Sequence, residues 1–196
     1  EFLKTYKELK KEVKPEDHIY FGDGVHPTHN THPTYGWIKK GKDKHLPANS
    51  GRSRINLNGA LELKGKTAVV LPEETINADA MIRLGEAILK KHPKGKIYLI
   101  LDNARYNHAK KFKQWRTSHK RLKIIFLSSY SPQFNIIERL WRFMYQRILA
   151  NRYFSTFKEF QSTVMDFFTH LDRYRSPLNT LLTDNFQTIP KLQLQT

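Results

Sequence analysis

The sequence predicts an α/β fold with one mixed central sheet and helices on both faces. Three observations lead there. Two near-continuous apolar runs, Lys96 to Leu101 (KIYLIL) and Lys123 to Leu127 (KIIFL), have strand length and no alternation, as strands buried on both faces do. The alternating stretch Arg54 to Leu63 (RINLNGALEL), the Gly65-Lys66 turn and Thr67 to Leu71 (TAVVL) read together as a hairpin. Stretches with helical spacing precede, separate and follow these strands. An antiparallel three-strand meander followed by two strands alternating with helices gives a mixed sheet.

The elements follow in order. Phe2, Leu3, Tyr6, Leu9 and Val13 recur at helical spacing among Lys and Glu, and Pro15 ends that helix. His18 to Phe21 (HIYF) is a strand that runs into Gly22-Asp23-Gly24, so Asp23 is expected at its end. A Pro- and His-rich stretch, HPTHNTHPTYGWIKKGK, then leads to the hairpin. Asn77 to Lys91 is a helix, with Ala80, Leu84, Ala87 and Ile88 on one face, stopped by Pro93 and Gly95. Asn107 can cap a helix holding Ala109, Phe112 and Trp115. Residues 135–149 form the clearest helix, with Ile137, Leu140, Trp141, Met144, Tyr145 and Ile148 on one stripe. Residues 156–171 form a last long helix. Residues 1–16 read as an N-terminal helix or linker remnant, and 17–196 as one domain.

Composition narrows the function. The chain has 196 residues, 39% of them hydrophobic, which suffices for a packed core. It has no Cys, which excludes a disulfide scaffold, a thiol nucleophile and a Cys-based zinc finger. No run approaches the ~18 apolar residues of a membrane span, so no membrane partner is expected. The formal charge is +16, and polyanions are the partners such a charge attracts. That charge is uneven. Residues 1–20 carry five Lys and five acids, whereas residues 101–140 carry nine basic residues and two acids, Asp102 and Glu138. Isolated carboxylates in the most basic stretch of a nucleic-acid binder need a reason, and metal coordination is one.

Asp23, Asp102 and Glu138 are the candidate site. Asp23 and Asp102 each leave a strand, and sites gather at the carboxyl ends of strands in open α/β sheets. Glu138 lies in the first turn of the best helix. Each also has a local reading. Asp23-Gly24 is a turn dipeptide, Asp102-Asn103 can simply leave a strand, and Asn135 with Glu138 fits a capping box.

The surrounding residues carry a resemblance. LDNARYNHAKKFKQW (101–115) and LSSYSPQFNIIERLW (127–141) resemble the catalytic domain of Tc1/mariner-superfamily transposases, in particular the bacterial IS630-like group of insertion sequences. Asp102, Asn103, Ala104 and His108 match one motif of that family. Tyr130, Ser131, Pro132, Asn135, Ile137, Glu138, Leu140 and Trp141 match the next. FGDGVHPTH resembles the first acidic strand, with Asp23 as its acid. The 35 residues between Asp102 and Glu138 agree with the family's spacing. Gln133 and Ile136 depart from it, where Asp and Pro are common.

The resemblance implies a ribonuclease-H-like fold with an Asp-Asp-Glu triad. It also implies two divalent ions per active site, Mg²⁺ with Mn²⁺ as substitute, held by Asp23, Asp102 and Glu138. The implied reaction is phosphodiester hydrolysis at transposon ends and strand transfer into target duplex. The implied partner is DNA, bound by a homodimer, and the implied location is the bacterial cytoplasm and nucleoid. Family members carry N-terminal recognition modules, so a catalytic domain lacking that region is expected here.

The basic and aromatic residues are assigned to DNA: His26, His29, Lys39, Lys40, Arg52, Arg54, Arg105, His108, Lys110, Lys111, Tyr130, Arg139 and Arg142. As a population they predict steep salt dependence, although any single Lys also fits a solvated face. Tyr35 and Trp37 could stack on unpaired bases, while Trp141, on the apolar stripe, reads as core. His26, His29 and His32 have zinc-like spacing, but Pro27 and Pro33 preclude a helix presenting them on one face, so no zinc site is assigned. A ribonuclease H, a junction-resolving nuclease and a domesticated nucleic-acid-binding protein are the competing readings.

Overall fold

The computed structural model describes residues 2–49, 51–128 and 131–186. Its elements are α1 (Phe2–Glu12), β1 (His18–Val25), β2 (Asn56–Glu62), β3 (Ala68–Glu73), α2 (Ala78–Lys91), β4 (Ile97–Leu101), α3 (Lys110–Ser118), β5 (Leu122–Phe126), α4 (Ile137–Met144), α5 (Phe157–Thr169) and α6 (Arg175–Leu181). The five strands form one sheet in the order β3-β2-β1-β4-β5. The β1-β2 and β2-β3 pairs are antiparallel, and the β1-β4 and β4-β5 pairs are parallel. The expected meander plus two parallel strands is therefore the observed sheet.

Alternation along β1 and β4 explains why both faces are covered. Ile19, Phe21 and Ile100 point to a core shared with α1, α4, α5 and α6. Tyr20, Leu99 and Leu101 point the other way, to α2 and α3. Burying each large apolar side chain stabilises by roughly 1.5–3 kcal/mol, so strand residues on both faces hold helices to the sheet. α1 belongs to the first core. Phe2, Tyr6 and Leu9 are buried, and Tyr6 Oη donates to Asp184 Oδ2 at 3.0 Å. Among the described residues no helix is long and apolar enough to cross a membrane.

Several local expectations are corrected. β1 continues through Asp23 to Val25, because β2 pairs with it along that whole length. Asp23 sits inside the strand, opposite Gly59. β5 is an edge strand and is only half-buried, since no strand covers its outer side. The helix read over 135–149 is two pieces, α4 and a π-helical segment at Tyr145–Leu149, and a 3₁₀ turn at Pro132–Phe134 precedes them. Neither Asn107 nor Asn135 caps a helix. Ala109 precedes α3 and Ile136 precedes α4, and neither position has a side-chain cap. α6 follows the last long helix and carries no strong apolar period of its own.

Candidate active site

The two aspartates reach the site by strand register. β1 and β4 are parallel, and their last paired positions are Phe21 and Ile100. Asp23 and Asp102 each lie two residues further on. Side chains two apart share a sheet face, so both acids follow Phe21 and Ile100 towards the face covered by α4. Glu138 comes down to the same place from the first turn of α4, where the helix dipole favours a carboxylate.

Charge coupling is visible at Asp23 and Glu138. Burial pushes the Asp23 carboxyl up to about 7. The Gly24 backbone N–H opposes this, the charges of Asp102 and Glu138 add to it, and the Trp141 indole opposes it again. Burial also raises the Glu138 carboxyl, Arg142 pulls it down, and Asp102 pushes it up. Arg142 stands one helical turn from Glu138, so it faces that acid on α4. Asp23 feels the charges of Asp102 and Glu138, and Glu138 that of Asp102, although the three do not all offer ligand atoms within 4.8 Å of one another. Among the described residues, the only group of three His, Asp or Glu side chains with all ligand atoms within 4.8 Å is His18, Glu62 and His92.

Three side chains hold the acids in place. Trp141 Nε1 donates to Asp23 Oδ2 at 3.1 Å. Asn107 Nδ2 donates to Asp102 Oδ1 at 2.9 Å, and the Ala104 N–H donates to the same oxygen at 3.1 Å. Asn135 Nδ2 donates to the Gly22 carbonyl at 3.2 Å and so ties the approach to α4 to the strand beside Asp23. Gly59 makes room for this arrangement. A Cβ there would stand 2.6 Å from the Trp141 ring, on the strand directly opposite Asp23.

These roles escape local reading. Both asparagines look like caps, and Trp141 looks like core. Trp141 is indeed buried, but its N–H also needs a partner, as buried indoles do. A Trp three residues after Glu138, facing the same interior, was the available signal.

The donor set fits a hard divalent cation. Three carboxylates supply oxygen ligands and negative charge, and their mutual repulsion falls when a cation enters. Removing the indole donor should tighten the proton's hold on Asp23. Trp141→Phe is therefore expected to move the pH midpoint of Mn²⁺-dependent thermal stabilisation upwards by ~0.5–1 unit. Melting curves recorded across pH with and without Mn²⁺ check this, and an unchanged midpoint would remove the indole from the site.

The other assigned residues separate into distinct groups. Arg105, His108, Lys110 and Lys111 are exposed just beyond Asp102. His108 stacks on Phe126 with ring centroids 4.3 Å apart, and Lys111 pairs with Asp79. Arg142 is exposed beside an open groove of about 580 Å³ that Asn135, Glu138, Arg139 and Gln146 also line. Lys39, Lys40, Arg52 and Arg54 are exposed on the long connection between β1 and β2. Tyr35 and Trp37 stand fully in solvent on that connection. His26 is exposed, with Nδ1 2.7 Å from Asn56 Oδ1.

Two assigned residues make contacts within the fold. His29 is buried, with Nε2 2.9 Å from the Phe154 carbonyl and its ring against Phe160, so it packs the connection onto α5. Arg139 Nη1 donates to the carbonyls of Thr183 at 2.7 Å and Leu181 at 3.3 Å, which ties α4 to the segment after α6. Tyr130 lies outside the described residues.

Residues 18–161 match the DDE superfamily endonuclease family. The uncharacterized 39 kDa protein of insertion element IS630 from Shigella sonnei is 25% identical over 158 residues, which is 80% of this chain and 46% of that protein. The chain thus spans about half the length of this relative. The Mos1 transposase paired-end complex with the left transposon end superposes with a TM-score of 0.64 at 19% identity, covering 85% of this chain and 52% of that one. The Mos1 mariner paired-end complex with Mn also gives 0.64, at 16% identity, covering 94% of this chain and 60% of that one. The isolated catalytic domain of Mos1 mariner transposase gives 0.57 at 17% identity, covering 85% and 76%. These likenesses establish the ribonuclease-H-like fold.

Proposed function

We propose that this chain, which belongs to the DDE superfamily endonuclease family, is a transposase catalytic domain that hydrolyses and joins DNA phosphodiesters at Asp23, Asp102 and Glu138. The observation that carries the reading is the convergence of these acids. Two adjacent parallel strands and the first turn of α4 carry them to one end of the sheet, where the charges of Asp102 and Glu138 raise the Asp23 carboxyl.

Asp23, Asp102 and Glu138 would hold the divalent cations, Mg²⁺ or Mn²⁺ and two per site, which would supply Lewis acidity towards the attacking water or 3′-hydroxyl and the departing 3′ oxygen. The chain's residues do the rest. Asp23 must give up its proton for cations to bind, and the Gly24 N–H and Trp141 N–H favour the ionised form. Asn107 and the Ala104 N–H fix one Asp102 oxygen and thereby aim the carboxylate. Glu138 supplies the third carboxylate from the first turn of α4, with Arg142 one helical turn beyond it. Arg105, Lys110, Lys111 and Arg142 surround the acids with positive charge, which draws in the phosphate backbone and steepens salt dependence.

The substrate in this reading is duplex DNA: transposon ends for cleavage and a target duplex for joining. The relatives solved on transposon ends support that choice. Two ends enter one joining event, so a homodimer on DNA completes the reading, with the bacterial cytoplasm and nucleoid as its place of action. α1 shares the core of the catalytic unit, and the chemistry lies within residues 17–196.

A substrate panel tests the reading. Plain duplex carrying transposon ends, an RNA–DNA hybrid and a four-way junction are incubated with Mg²⁺ or Mn²⁺. Nicking and joining of the duplex are expected. Preference for the hybrid or the junction would make the chain a ribonuclease H or a resolvase. Binding without cleavage of any substrate in Mn²⁺ would make it a binding protein only.

A further inference from the structure

The opposite end of the sheet carries a second cluster of ligating side chains, which the reaction above does not use. His18 opens β1, Glu62 closes β2, and His92 is the C-cap of α2. Five residues of β1 separate His18 from Asp23, about 17 Å along an extended strand. Antiparallel pairing sets Tyr20 opposite Glu62 and brings the start of β1 beside the end of β2.

The geometry is compact. His18 Nδ1 lies 2.7 Å from Glu62 Oε1. The His18 and His92 rings lie face to face, with centroids 3.5 Å apart and planes 28° apart. One ligand atom from each of the three residues falls within 4.8 Å of the others. Glu62 is buried, and Thr67 Oγ1 donates to its other oxygen at 3.1 Å. Tyr20 Oη lies 2.7 Å from His92 Nε2.

We propose that His18, Glu62 and His92 form a binding site for one zinc-like divalent ion, separate from the carboxylate site. Two imidazole nitrogens and one carboxylate are a donor set that suits zinc, with a fourth position left open. Ligand atoms around a tetrahedral zinc stand ~3.4 Å apart, given bonds of ~2.0–2.2 Å. The 2.7 Å contact between His18 and Glu62 is the shorter separation of a shared proton. An entering ion replaces that proton and widens the contact. One imidazole also turns about its χ2 bond, so that both lone pairs point at the ion. Thr67 and Tyr20 are placed to orient the carboxylate and the His92 ring, as hydrogen-bond partners of metal ligands do. The three ligands come from β1, β2 and the end of α2, so an ion here staples α2 to the sheet.

Metal analysis and spectroscopy test the site directly. The whole chain, stripped with a chelator, is dialysed against micromolar Zn²⁺ in the presence of excess Mg²⁺, which occupies the carboxylate site. One equivalent of zinc should be retained, and the melting temperature should rise. Co²⁺ in place of Zn²⁺ should give visible absorption of a four- or five-coordinate nitrogen–oxygen site. His18→Gln and His92→Gln should each weaken binding at least ~100-fold, while Asp102→Asn should leave it unchanged. Glu62→Gln provides a further variant if a histidine replacement fails to fold. Failure of the parent chain to retain zinc overturns the proposal. So does zinc retained equally by folded His18→Gln, His92→Gln or Glu62→Gln, because the ion would then sit elsewhere.

Discussion

Asp102→Asn lowers divalent-cation-dependent DNA cleavage by at least ~10³-fold, while circular dichroism and the melting transition stay those of the parent. The substitution is nearly isosteric. The amide oxygen of Asn can still accept the bonds that Asp102 Oδ1 takes from the Ala104 N–H and from Asn107. What disappears is the negative charge, and with it a ligand for a hard cation. Removing a charge from a cluster of mutually repelling acids does not weaken the fold. Loss of activity with a retained fold would therefore locate the effect in the chemistry. Full activity in this variant would detach Asp102 from the reaction and remove the triad. Zinc retention in the same protein would be unaffected, since the His18 cluster lies at the other end of β1.

The sheet is legible in the sequence because burial on two faces leaves a direct mark. Ile97 to Leu101 carries no charged residue, and Asp102 stands directly after it, where the strand leaves the sheet. The partnership of Asp102 with Glu138 is legible through motif and spacing. The finer positions fail because tertiary contacts, invisible to local reading, decide where these side chains go. Asn135 has the residue type of a helix cap, yet its Nδ2 donates to the Gly22 carbonyl more than a hundred positions away, and its Oδ1, the atom a cap would use, takes no bond. Asn107 likewise gives its amide to Asp102. Asp23-Gly24 has turn chemistry, but Gly59 and Asn58 across the sheet carry the pairing straight through it. The stripe over 135–149 conceals the change to π-helical winding at Tyr145, because apolar residues continue on the same side. In α6, Pro177 discourages a helix reading, yet it falls in the first turn, where backbone N–H groups have no partner within the helix. The His18, Glu62 and His92 cluster joins three elements and has no sequence spacing to betray it.

Asp23 makes the cation-free protein less stable as pH rises towards neutrality, and divalent cations reverse the trend. Its carboxyl is pushed from the ordinary 3.8 up to about 7 in the folded chain. Below the unfolded value both states hold the proton, and the fold keeps its full stability. Between the two values the folded state holds a proton that the unfolded state has released, so stability falls with pH and levels off once the folded carboxyl ionises. Asp17, Glu62 and Asp184 are held below their ordinary values and act in the opposite sense, but their contribution is complete at lower pH. Comparison with Asp23→Asn isolates the one group. At about pH 8 without cations the variant should exceed the parent by on the order of 4 kcal/mol, and the gap should narrow as pH falls through about 7 and close below the ordinary 3.8. Added Mg²⁺ or Mn²⁺ should stabilise the parent increasingly as pH rises through about 7, because a cation then takes the place of the released proton. The variant, short of one carboxylate, should gain little. Parallel pH profiles for parent and variant, with and without cations, would mean that Asp23 neither titrates near neutrality nor faces a bound ion. The same coupling sets the working range of the proposed reaction. Burial, with repulsion from Asp102 and Glu138 added to it, holds a proton on Asp23 up to about 7, so near neutrality an entering cation takes the place of that proton.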